Sequence, residues 1–240
     1  LDRYENTLVF IDEIQHYPQF LTMLKFLRQE HRYRFICSGS LLGIALKKTV
    51  SVPVGSIIPK KMYQLDFEEF LIANDFGEDA IVHLRKSFEQ KQPLSPEVHD
   101  KVLNLFKRYL LVGGMPDAVN EYLNSHNIVK VREVQEAIRE LYGVDASRYE
   151  EDAAKKLYIR RIYDMIPSQM ENKKKRIVAK DILDRKGDRF SNYVEEFEYL
   201  INSGITIPSH AISNPKYPLA ESQQKNLLKL YMNDVGMLTS

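Results

Sequence analysis

Cysteine is almost absent: Cys37 is the only one in 240 residues. A single thiol excludes an internal disulfide and any multi-cysteine metal site, and its place in an apolar run predicts a buried, inert side chain. Long apolar stretches are missing too. None approaches the roughly 20 residues needed to span a bilayer, and the opening Leu1, Asp2, Arg3, Tyr4 and Glu5 are unlike a secretory signal. Nor is there an excess of either charge, 34 basic residues standing against 33 acidic ones. No global field therefore argues for nucleic acid or a membrane, and any such case must come from a local cluster. These absences predict a soluble chain of the reducing cytoplasm with no membrane partner. The length allows two or three domains. A buried-type strand is reached by residue 7, which predicts a piece of something longer.

That strand is the most informative stretch present, Thr7 to Gln15, TLVFIDEIQ. Leu8, Val9, Phe10 and Ile11 suit a strand buried on both faces of a parallel sheet. Asp12 and Glu13 follow at once. In open parallel sheets the ligand crevice lies at the carboxyl ends of the strands, so this pair would stand at the mouth of a site. The Walker B pattern needs both acids, one to hold hydrated Mg²⁺ on a nucleotide's phosphates and one to polarise the attacking water. A buried strand ending in a solvated acidic turn is the alternative. Phe20, Leu21, Leu24 and Leu27 then fall at helical spacing, and Tyr33 to Cys37 reads as a second strand closed by Ser38, Gly39 and Ser40. Ser38 and Ser40 would thus end beside Asp12. Their hydroxyls either meet a γ-phosphate or its attacking water, or simply cap the next helix.

Further along, 41–48 reads as helical, Ile57 to Leu65 as a third strand or extended segment, and Asp66 with Glu69 as a capping box opening another helix. Residues 75–150 carry helical patterns at Ala80–Gln90, Glu97–Leu111 and Ile128–Tyr142 with no strand between. Gly113, Gly114, Met115 and Pro116 form a tight turn, with Pro116 suited to the first position of a helix through Tyr122. From 151 to 234 the order is three helices (Leu157–Met165, Ile177–Arg185, Tyr193–Ile201) and two strands (Ile205–Ile207, Leu227–Met232), as in a winged helix. Eight Lys or Arg face four acids between Glu171 and Arg189, including Lys173, Lys174, Lys175 and Arg176. They are candidate nucleic-acid contacts, or else solvate a protein-facing surface.

The order IDEIQ, CSGS, SVPVG, YQLDFEEFL, YLLVGGMPDAV and KLYMNDVGML resembles prokaryotic AAA-type P-loop ATPases with a helical lid, a winged helix and a C-terminal nuclease-like domain. The resemblance covers Thr7 to Leu238. It implies an α/β fold: a partial parallel-sheet AAA-type core at 1–74, an all-α lid at 75–150, a winged helix at 151–234, and the start of a truncated C-terminal domain at 235–240. It also implies Asp12 as the acid holding Mg²⁺ through water, Glu13 as the catalytic carboxylate, Ser38 as the sensor, Ser40 near the nucleotide, and Gly113, Gly114 and Pro116 as the lid turn. ATP and Mg²⁺ are the implied cofactors of the parent protein. Two features depart from the pattern. None of the ten glycines opens a G-x-x-x-x-G-K-[ST] loop, and Ser56, with Lys60 and Lys61 nearby, stands where an arginine finger is expected. The expectation is therefore an ATPase fragment that is inactive alone and binds no nucleotide, with DNA or a second copy as partners. The rival expectation is a non-catalytic DNA-binding or protein-interaction module; nothing in the sequence supports a nuclease within these residues.

Overall fold

The computed structural model describes residues 7–29, 33–39, 57–145, 150, 152–171, 177, 179–183, 187 and 189–238. Strand β1 (Leu8–Ile11), helix α1 (Pro18–Gln29) and strand β2 (Arg34–Cys37) form a β-α-β unit. The strands pair in parallel, Leu8 opposite Arg34 and Ile11 opposite Cys37, as the apolar runs and crossover length predict. Burial on both faces is not observed. One face packs Ile11 and Cys37 against Ile14, Leu24 and Leu27, while Leu8, Phe10 and Ile36 are 53%, 59% and 49% exposed on the other. A parallel sheet needs a layer on each face. Helix α1 supplies one, and among the described residues no second layer lies opposite. Phe20, expected inward, is 37% exposed and sets its ring edge-on to Tyr17.

The stretch Ile57 to Leu65, expected as a third strand or an extended segment, forms no ladder among the described residues. Residues 57–66 run without regular structure, and near their end Leu65 is held by the helical layer, its N–H donating to Gly114 O at 2.9 Å. The capping box is present: Glu69 N–H donates to Asp66 Oδ1 at 2.9 Å and Asp66 N–H to Glu69 Oε2 at 2.8 Å. It opens α2 (Phe67–Ala73), followed by α3 (Glu78–Glu89), α4 (Pro96–Val112), α5 (Pro116–Ser125) and α6 (Ile128–Asp145). Each lies within a few residues of the periodic stretch that predicts it. Proline occupies the first turn of α4 and of α5, where a missing N–H costs nothing.

Helix α7 (Ala153–Glu171) is capped by Asp152, whose carboxylate accepts from Ala154 and Lys155 N–H. Those two bonds hold its pKa below the usual aspartate value. Short α8 (Lys180–Leu183) and α9 (Val194–Ser203) precede an antiparallel hairpin of β3 (Thr206–Ile212) and β4 (Gln223–Met232), Thr206 opposite Met232. The predicted helix Ile177–Arg185 is thus four residues long among the described positions. One core unites Phe70, Tyr122 and Val131 with Tyr163, Phe197, Leu230 and Met237. Residues on both sides of position 150 therefore pack together, as does the turn Gly236–Leu238.

Candidate active site

Parallel pairing brings the carboxyl ends of β1 and β2 side by side, and the backbone then stitches them. Ser38 N–H donates to Ile11 O at 2.9 Å and Ile14 N–H to Ser38 O at 3.0 Å. Between these bonds the chain must turn sharply from strand into the 3₁₀ turn Ile14–His16. Glu13 absorbs the change in the left-handed region, φ 49° and ψ 44°. A residue with a Cβ holds that conformation at a cost of about 1–2 kcal/mol, so the surrounding bonds over-determine it. Its consequence is directional: Glu13 departs from the alternation of the strand it follows.

Four polar residues converge here. The Ser38 hydroxyl donates to Asp12 Oδ1, and Glu13 N–H donates to the same oxygen at 3.0 Å. His16 Nε2 lies 3.9 Å from Glu13 Oε2, with both side chains about half exposed. Asp12 is thereby oriented through Oδ1, and Oδ2 has no hydrogen-bond partner among the described residues. One fixed and one open carboxylate oxygen at an exposed strand end suits a hydrated Mg²⁺, which keeps most of its waters and takes one or two carboxylates. No group of three or more His, Cys, Asp or Glu that could hold a metal ion occurs among the described residues. Cys37, adjacent to Ser38, is half-buried and its thiol is pushed up by desolvation, which disfavours the reactive thiolate.

Of the other expected site residues, Ser40, Lys173, Lys174, Lys175 and Arg176 lie outside the described residues, as do the predicted helix at 41–48 and Ser56. Lys60 and Lys61 are exposed. The Gly113, Gly114, Pro116 turn joins α4 to α5 and is closely packed. A Cβ on Gly113, at φ 74°, would overlap Asp234 Oδ1, and one on Gly114 would overlap Leu65 O. Only glycine admits these approaches. Asp234, which the sequence reading left unassigned, is buried at 4% exposure. An acid set among Met232, Val235 and Met237 was the available signal.

Comparison with known proteins adds four findings. Residues 1–71 match the family model of an AAA domain. Residues 103–240 match that of a domain of unknown function, DUF8612. No curated protein matches the chain. Among solved structures, the Walker-type ATPase PABY2304 of Pyrococcus abyssi superposes with a TM-score of 0.52 at 14% identity, covering 97% of this chain and 62% of that one. At that identity the likeness is one of fold, and the chain spans 62% of the neighbour's length. The AAA match is confined to residues 1–71, and no helix among the described residues is long and apolar enough to cross a membrane.

Proposed function

The chain belongs to the DUF8612 family through residues 103–240, and from that premise, with the AAA match at residues 1–71, we propose that it carries the acidic half of an ATP-hydrolysing site. The observation that carries the reading is the hydrogen bond from Ser38 to Asp12 across the ends of two parallel strands. When bound, Mg²⁺ would supply charge neutralisation on the β- and γ-phosphates. Asp12 is the Walker B acid that would hold the ion through water. Glu13, re-aimed by its left-handed backbone, accepts a proton from the attacking water. Ser38 commits its hydroxyl proton to Asp12, so in this arrangement it positions that acid and its lone pairs alone face outward.

The phosphate loop is not among these 240 residues, so catalysis needs one supplied from elsewhere. Most affinity for a triphosphate comes from loop and helix N-terminal amides and a lysine. Without them Asp12 and Glu13 add like charge to the site, and the chain by itself neither holds ATP nor turns it over. The residues of α2–α6 act as a lid, and those of α7–β4 as a winged helix, moved by the nucleotide cycle. The rival reading, a DNA-binding module, depends on Lys173–Arg176, whereas the strand-end cluster favours the ATPase.

The test is turnover in a chain carrying a phosphate loop ahead of Leu8. Glu13→Gln should abolish hydrolysis while Mg·ATP binding persists, and Ser38→Ala should lower kcat by a smaller factor. Full turnover with Glu13→Gln would overturn the assignment.

A further inference from the structure

We propose that Asp234 is a latch that couples the end of the β3–β4 hairpin, through the Gly113–Gly114 turn and Leu65, to the segment leading back toward the strand-end cluster. The proposal does not depend on the ATPase reading. It rests on one continuous hydrogen-bonded path. Gly236 N–H donates to Asp234 Oδ1 at 2.8 Å and Gly114 N–H to Oδ2 at 2.6 Å, with a further bond from Met237 N–H. The carbonyl of Gly114 accepts from Leu65 N–H at 2.9 Å, and Leu65 O accepts from the Tyr109 hydroxyl at 2.9 Å. Both backbone groups of Leu65 are therefore held, one residue before the capping box at Asp66. From α6, fully buried Gln135 donates to Leu111 O and Val112 O at 2.8 and 2.9 Å, satisfying carbonyls that the end of α4 would otherwise leave open.

The chemistry explains why this acid is used. A buried carboxylate is costly unless its lone pairs are filled, and here three backbone N–H groups from two separated parts of the chain fill them. Desolvation still pushes the Asp234 carboxyl up, against the lowering effect of those bonds. The joint is tight as well as polar, because the glycines of the turn leave no room for a Cβ between it and Asp234 or Leu65. A change at the hairpin end thus has only two ways to be absorbed: it moves the lid turn and Leu65 with it, or it breaks the carboxylate's bonds. Coupling between two such positions is reciprocal.

Hydrogen exchange followed by mass spectrometry tests the coupling in the intact chain. Asp234→Asn keeps the volume but turns an N–H donor toward one that Asp234 accepts. The amides of Leu65 and Gly114 should exchange about tenfold faster or more, with helical circular dichroism unchanged. Tyr109→Phe removes only the hydroxyl at the far end, and should speed exchange at Gly236 and Met237. The second variant decides the matter if the first fails to fold. Changes confined to residues 234–237 in Asp234→Asn, or no change at Gly236 and Met237 in Tyr109→Phe, would overturn the latch.

Discussion

Ser38 and Asp12 are 26 positions apart, yet their meeting is legible from sequence, because two apolar runs joined by one helix must pair in parallel and end together. Glu13 shows the other side. Its left-handed backbone is set by bonds on both flanks, and no local propensity of glutamate announces it. Asp234 was hidden for a related reason: its partner Gly114 lies 120 residues away, and an Asp before Val-Gly reads locally as a turn. Burial decides residue behaviour elsewhere in the core. Tyr163 is 1% exposed, and desolvation raises its phenol from the usual 10 to about 12. The raised value means that the contribution to stability is whole below pH 10, where the phenol is neutral in both states. It is lost as pH climbs through the folded pKa, because only the unfolded chain ionises readily. Denaturant melts at pH 8, 10 and 11 should therefore show wild-type stability falling above pH 10, with a shallower fall in Tyr163→Phe. Equal slopes would contradict the burial argument.

Among the elements, α2 is the shortest of the helices around Tyr109 and Tyr122 and depends most on its ends. Seven residues form few internal bonds, and helix nucleation is costly. The reciprocal bonds between Asp66 and Glu69 offset part of that cost, and buried Phe70 anchors the helix against Tyr109 and Tyr122. Asp66→Ala should lower stability by about 1 kcal/mol, read as a lower urea midpoint with an unchanged m-value. Glu69→Gln, which keeps an acceptor, should lower it less. The helices α2–α6 were legible because their apolar residues recur at helical spacing between proline, glycine and capping signals. Residues 57–65 were less so. Ile57, Ile58 and Tyr63 have strand-like composition, but a strand needs a ladder partner for its backbone groups, and among the described residues this segment pairs with none. Ile58 and Tyr63 remain exposed.

On the scale of the molecule, burial is uneven. Residues of α2, α4 to α9 and the hairpin share one large cluster, whereas among the described residues the small cluster of the β-α-β unit centres on Ile14 and Leu24 and one apolar face of its sheet is bare. Elements with few buried contacts open at low free energy. In a monomeric sample, amides of β1 and β2 should exchange well before those of α4 and α6. Exchange as slow in the strands as in the helices would mean that the sheet is complete as it stands. The same unevenness separates what the chain's acids can do from what they need. Asp12, Glu13 and Ser38 are in place at the strand ends, but no G-x-x-x-x-G-K-[ST] pattern occurs in the sequence to cradle a triphosphate. Calorimetric titration of the chain with Mg·ATP tests that claim most directly. The account predicts no saturable binding in the micromolar range, and saturable micromolar binding that disappears in Asp12→Ala would contradict it.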